Sequence, residues 1–348
     1  MRDLKYLLAY LVPVTAYFSI QWGGAWSYFT VAFAFGLIPL LEPFTGRSTQ
    51  NLSIAERSEK LKAKFFDWLL YLNVPIVGFI FYLFTRRLEG GGLELYEVIG
   101  MTLSTGIVAG SSGINVAHEL GHRKNVAERF MAWLLLLPSF YMHFYIEHNR
   151  GHHKNVSTPL DPASAQKGEN LYRFWIRSTT GSYLNAWRIQ KQLLAKSESG
   201  FFSFKNEMLF FHLVELVYIL SIGFMFGIQV LGWVMLSGVI GFLLLETINY
   251  VEHYGLRRQL LPSGNYEPVK PRHSWNANQE LGRIMLYELT RHSDHHYLAS
   301  KKYQVLDHHE ESPQLPAGYP TCMLMALMPP LWFSVMDKRI STELGVGN

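Results

Sequence analysis

LYEVIGMTLSTGIVAGSSGINVAHELGH, residues 95–122, is a long, nearly charge-free run that ends on two histidines set four apart. An α-helix needs about 20 such residues to cross the hydrocarbon of a bilayer. His118 and His122 would then sit where the helix leaves the membrane, stacked on one face with Cβ atoms about 5–6 Å apart. Imidazole is neutral near pH 7, as a metal ligand must be, and is the commonest protein ligand for a metal. The segment therefore predicts a membrane helix carrying two ligands to one metal ion or to neighbouring ions.

The rest of the chain repeats the pattern. Apolar segments at about 4–21, 26–44, 65–85, 128–146, 207–229 and 231–252 join 95–117, and charge concentrates at about 45–64, 150–200 and 255–312. Only 17% of the 348 residues are charged, against about 25% in soluble domains. The first segment begins with Arg2 and Lys5 like a signal peptide, but Pro13 interrupts its centre and no clean cleavage site follows. It is read as an anchor. Arg47, Arg57, Lys60, Lys62 and Lys64 mark the 45–64 loop as cytoplasmic. Three hairpins follow from that orientation, the last turning between Gly227 and Gly232.

Segment 128–146 breaks the parity. His122 and His148 lie at its two ends, and it contains Pro138 and His143, so it is expected to be re-entrant or tilted rather than spanning. The expectation is an all-α membrane protein: six transmembrane helices in a bundle, both termini in the cytoplasm, and a histidine-rich site at the cytoplasmic face. The chain reads as one integral-membrane catalytic domain over 1–348, with about 147–205 and 253–348 forming a cytoplasmic cap.

Four clusters hold nine of the fourteen histidines: His118 and His122; His148, His152 and His153; His253; and His292, His295 and His296. Nine ligands are too many for one four- to six-coordinate ion, so two metals are expected. A ligating histidine usually donates its other ring N–H to a carboxylate or carbonyl. Glu119, Glu147, Asp161, Glu252 and Asp294 are the candidates for that task, with His143 and His273 as further supports. Alone, HELGH also fits a membrane zinc metalloprotease, with Glu119 as general base, but a protease leaves the other clusters unexplained. Cys322 is the single cysteine, which excludes a disulfide framework and a thiolate cluster. A nitrogen-rich set suits iron, zinc, copper or nickel. An apolar bundle behind it favours a hydrocarbon substrate, and zinc cannot attack an unactivated C–H bond, so iron with O2 is preferred. No basic run interleaved with aromatics suggests nucleic acid.

The stretches HELGHRKN (118–125), EHNRGHHKNVSTPLDPAS (147–164), NYVEHYGLRRQ (249–259), PRHSWN (271–276), LTRHSDHHYLASKKYQ (289–304) and QLPAGYP (314–320) resemble the alkane 1-monooxygenases. These belong to the integral-membrane di-iron superfamily of desaturases and hydroxylases. The similarity runs from about residue 30 to 340. Arg123, Arg272 and Thr290 depart from the family's usual residues without removing a ligand.

The resemblance implies a bacterial inner-membrane enzyme, its active site toward the cytoplasm, that hydroxylates medium- to long-chain n-alkanes to primary alcohols. It implies two irons held by the nine histidines, O2 as co-substrate, and electrons from a rubredoxin and its reductase. A sibling desaturase or a xylene-type methyl hydroxylase is the alternative within the superfamily. The chain has no G-x-G-x-x-G pattern and no C-x-x-C pair, so neither NAD, flavin nor a rubredoxin iron is expected on it and the donor is a separate protein. Arg123, Lys124, Arg150, Lys154, Arg257, Arg258 and Arg291 are expected to dock that acidic partner. Ala34, Ser112 and Gly113 are small residues expected to line an apolar substrate channel.

Overall fold

The computed structural model describes residues 2–343, and among these the only β-structure is three isolated bridges. The all-helical expectation holds. Among the described residues three helices are long and apolar enough to cross a bilayer: Gly24–Phe44, Lys64–Glu89 and Glu207–His253. The last has 47 residues but is broken at Gly227, whose φ of 84° and ψ of 164° no helix contains. Leu231 Cδ2 comes within 3.4 Å of the Cβ position of Gly223. A straight helix would separate those residues by about 12 Å, so the two arms fold into the expected hairpin. These helices account for the segments read at 26–44, 65–85, 207–229 and 231–252.

Segment 128–146 is not one helix. Asn125 caps Val126–Leu136 by accepting from the Ala127 N–H at 2.9 Å. The helix tightens over Leu137–Ser139 and stops at Phe140, which adopts a left-handed φ of 53°. Eleven residues rise about 16 Å, roughly half of a bilayer's hydrocarbon. Pro138 lies in the tightened turn where the helix ends.

The chain groups into two compact units: Met1–Gly36, Asp67–Arg150 and Tyr183–Leu245 form the first, and Leu37–Phe66, Gly151–Ser182 and Glu246–Asn348 the second. In the first, helix Leu95–Val108 continues through a wide-turned stretch, Ala109–Ile114, into Asn115–Gly121. Its small residues let other backbones come close: a Cβ on Gly106 would lie 2.5 Å from Ile240 Cγ2, and one on Gly241 would lie 2.8 Å from Ala109 Cβ. Close approach through small residues is how helices pack where water offers no hydrophobic drive. It fixes the helix that ends on His118 and His122.

The second unit has an aromatic core, with Phe174, Tyr250, Tyr254, Trp275, Tyr319 and Trp332 all buried. Trp275 donates its indole N–H to the Tyr254 carbonyl at 2.9 Å, and Tyr250 its hydroxyl to the Glu169 carbonyl at 2.7 Å. These two buried rings keep their polar edges satisfied, whereas the Trp332 indole nitrogen has no partner among the described residues.

Candidate metal centre

In the first unit three histidines converge. His118 and His122 have ring centroids 5.3 Å apart, and His148 lies 4.4 Å from the first and 5.1 Å from the second. Nε2 of His122 and Nε2 of His148 are 3.1 Å apart. His148 opens a second wide-turned stretch, His148–His152. Such turns insert one extra residue per turn and re-aim side chains, and they recur at functional sites.

The second unit gathers the other six. Ligand atoms of His152, His253, His292 and His296 all lie within 4.8 Å of one another, and all four residues are buried. Nε2 of His153 is 3.1 Å from Nε2 of His295. His292, His295 and His296 share the short helix His292–Tyr297. Neither ring nitrogen of His296 has a partner among the described residues, although the residue is only 5% exposed. Burial, and then the neighbouring imidazoles led by His292, hold it well below the ordinary histidine range. It is neutral at pH 7, so one of its two buried ring nitrogens carries a free lone pair in either tautomer, which fits an imidazole waiting on a cation.

The expected supporting carboxylates divide. Asp161 is buried, with Oδ2 at 2.9 Å from Nδ1 of His152, and accepts from the Ser164 hydroxyl and the Ala163 N–H. Glu252 stands 3.1 Å from His292. Asp294 ties the His292–Tyr297 helix to the following loop through Lys301 at 2.6 Å, His309 at 2.7 Å and the Asp307 N–H at 2.7 Å. His309 is thus part of that tie. Glu119 accepts from Arg123 at 2.7 Å, and Glu147 from Asn185 at 3.0 Å. The ring of His143 lies 4.4 Å from Tyr141 and 5.3 Å from Tyr183.

Two groups of expectations need correction. Arg123 and Arg291 are buried rather than available for docking. The first pairs with Glu119 and Asp67, and the second donates to the carbonyls of Leu306 and Gln50. Arg150 pairs with Glu207 and Arg258 is spent on the Glu267 and Lys154 carbonyls, while Lys124, Lys154 and Arg257 stay exposed. Among the channel residues, Ala34 and Ser112 are buried, but a Cβ on Gly113 would lie 3.3 Å from the Leu135 carbonyl. Gly113 is a helix-contact glycine. Tyr319 and Ser164 were not singled out, although each lies in a quoted stretch.

His273 accepts from the Lys270 N–H at 3.0 Å and faces Glu267 at 3.3 Å. Burial lowers its pKa to about 4, against the pull of Glu267. Burial opposes ionisation of Glu267, yet the Gln259 N–H, His273 and Arg272 hold it at about 2. A histidine whose folded pKa lies below its unfolded value contributes stability above pH 6.5 that is lost as pH falls toward 4. The Glu267 contribution is lost only below about pH 4.5. Thermal unfolding at pH 5 is therefore expected well below that at pH 7.5, and His273→Asn, whose Oδ1 replaces Nδ1, should flatten the difference. Equal pH slopes for the two proteins would contradict the assignment.

An all-helical chain with bilayer-length apolar helices and converging histidine sets is a membrane protein of the polyhistidine metal-centre class. The fatty acid desaturase family model matches residues 95–324. Alkane 1-monooxygenase 2 of Alcanivorax borkumensis is 37% identical over 95% of this chain and 87% of its own length. The Pseudomonas aeruginosa protein of the same name is 38% identical over 96% and 90%. The xylene/toluene monooxygenase hydroxylase component of Pseudomonas putida is 28% identical over 97% and 89%. The chain belongs to the alkane 1-monooxygenases within the fatty acid desaturase family. The metalloprotease alternative falls with that membership.

Proposed function

We propose that this protein hydroxylates the terminal carbon of medium- to long-chain n-alkanes, using O2 at two irons held by the nine histidines, with electrons from a separate rubredoxin. The observation that carries the metal reading is His296, buried with both ring nitrogens unpartnered beside three further imidazoles. A nitrogen set without cysteine fits iron. The four histidines of the second unit's set would hold one of the two ions. Bound iron contributes the redox chemistry that attacks an unactivated C–H bond.

The chain's own residues do the rest. Asp161 fixes the tautomer and direction of His152. The apolar helices exclude water and accept an alkane, which has no polar handle, by length and shape alone; each buried methylene contributes about 0.8 kcal/mol. Six crossings with the site toward the cytoplasm of the inner membrane remain the topology that puts the histidines within reach of a soluble donor. The xylene-type relative supports a second reading, hydroxylation of an aromatic methyl group, at lower identity.

Membranes carrying the protein, supplied with rubredoxin, its reductase, NADH and a mixture of n-alkanes, should form 1-alkanols only with O2. Xylene in the same assay separates the second reading. Ser112→Trp and Ala34→Trp should each shift the preferred alkane to shorter chains. Unchanged preference in both would remove these residues from the channel, and absence of 1-alkanols from an iron-loaded enzyme with a competent donor would overturn the proposal.

A further inference from the structure

The membrane helix Gly24–Phe44 ends on a row of apolar side chains that the protein does not cover. Leu37, Leu40, Leu41 and Phe44 are all exposed, at the i, i+3, i+4, i+7 spacing of a single helical face. In a bilayer such a face meets acyl chains. Three residues beyond Phe44 the chain enters a cavity of about 350 Å³, whose lining includes Arg47, Asn278, Gln279, His308, Glu310 and Leu315. The row and the cavity both belong to the second unit. None of these residues belongs to the histidine sets.

Three segments are stapled together to form the walls. The Ser48 N–H donates to the Asn278 carbonyl at 2.9 Å and the Glu280 N–H to the Gly46 carbonyl at 3.1 Å, which sets Arg47 against Gln279. Asn51 holds the third segment: its Nδ2 donates to the His308 carbonyl at 2.9 Å, and its Oδ1 accepts from the His308 N–H at 2.6 Å. Asn278 donates its Nδ2 to Gln314 at 2.6 Å, which leaves its Oδ1 as an unused acceptor. Oε1 of Gln279 is unused as well, and both residues are buried. A buried acceptor without a donor is costly to the fold until a donor arrives. The charged members of the lining, Arg47 and Glu310, are exposed and have no ion pair among the described residues.

We propose that this cavity holds the headgroup of a phospholipid with a primary ammonium, phosphatidylethanolamine, whose acyl chains lie along Leu37, Leu40, Leu41 and Phe44. The Arg47 guanidinium takes the phosphate, for which its planar fork of donors is suited. A primary ammonium has three donors, and the wall offers three acceptors: the Glu310 carboxylate, Asn278 Oδ1 and Gln279 Oε1. Leu315 gives the ethyl carbons an apolar surface. A trimethylated ammonium has no N–H and leaves those acceptors unused. An anionic headgroup brings no cation to Glu310. Arg47 therefore anchors the lipid, and the acceptor wall selects its headgroup.

Native mass spectrometry of the full-length protein, released from nanodiscs of mixed lipid, tests this by counting what stays bound. The nanodiscs hold equal parts phosphatidylethanolamine, phosphatidylcholine and phosphatidylglycerol with identical acyl chains. Wild type should retain one phosphatidylethanolamine per chain, favoured about tenfold over the other two, as one hydrogen bond to a charged group would give. Glu310→Gln should bring that preference toward parity while phosphatidylcholine retention stays the same. Arg47→Gln should lower retention of all three lipids by about tenfold. Both side chains are exposed, so neither change disturbs the core. Lys62→Gln, exposed on the same basic stretch but outside the cavity, should match wild type. Equal retention of the three lipids by wild type overturns the proposal, as does an unchanged profile in both cavity variants. An unchanged profile in one of them overturns the role of that residue. A loss in Lys62→Gln equal to that in Arg47→Gln reveals general charge attraction and also overturns it. Glycerophosphoethanolamine, the headgroup without acyl chains, should fail to displace the lipid; displacement would assign the cavity to a soluble ligand instead.

Discussion

His296→Ala is expected to abolish O2-dependent alkane hydroxylation and to leave the protein short of its second iron. Both ring nitrogens of His296 are buried without a partner, and each such group costs the fold about 1–3 kcal/mol. Alanine removes that cost but opens a cavity, and truncating a buried side chain of this size costs a similar amount. The metal-free variant should therefore unfold close to wild type. The iron-loaded proteins should differ sharply, because binding to the folded state alone stabilises it. Several kcal/mol of metal-derived stabilisation at the reacting centre corresponds to a rate loss on the order of 1,000-fold. His212→Ala is the control: His212 bonds Tyr183 at 3.0 Å and Glu215 at 3.2 Å outside the clusters and should keep both irons. Full iron content and unchanged rate in His296→Ala would remove this residue from the centre.

The nine histidines were legible because ligand chemistry constrains residue type and helical geometry constrains spacing. His118 and His122, or His292, His295 and His296, can share a face only at separations of three and four. The hairpin at Gly227 was legible because one glycine interrupts an otherwise unbroken apolar run. Segment 128–146 was legible as an anomaly but not as a structure, since Pro138 marks a break without saying that Phe140 would turn left-handed. The wide turns at 109–114 and 148–152 carry no residue signature at all, because an extra residue per turn is imposed by packing. Tyr319 and Glu252 are 67 positions apart, and nothing local to either states that they meet. The docking expectation failed at Arg123 and Arg291 for the same reason. Charge counts in a sequence do not reveal which guanidinium finds carbonyls of distant segments.

Arg291→Ala is expected to lower the thermal midpoint by on the order of 10 °C, an effect that belongs to the fold and not to partner docking. The guanidinium is 2% exposed; Nη1 donates to the Leu306 carbonyl at 2.5 Å and Nη2 to the Gln50 carbonyl at 2.9 Å. Glu288, 3.8 Å away, is held mainly by Arg283 at 2.7 Å. Deleting the side chain strands two buried carbonyls and unbalances a buried charge, changes that cost about 3–5 kcal/mol, and each kcal/mol moves the midpoint of a domain this size by about 2–4 °C. Arg291 also immediately precedes the helix bearing His292, His295 and His296, so iron retention should fall with stability. Lysine should rescue little, because one ammonium cannot span two carbonyls as the planar fork does. A docking residue would behave in the opposite way: charge reversal at exposed Lys154 or Arg257 should leave the midpoint unchanged, raise the KM for an acidic rubredoxin, and weaken the salt dependence of its association. An Arg291→Ala protein with a wild-type midpoint and a raised, salt-dependent KM would return this residue to the docking surface.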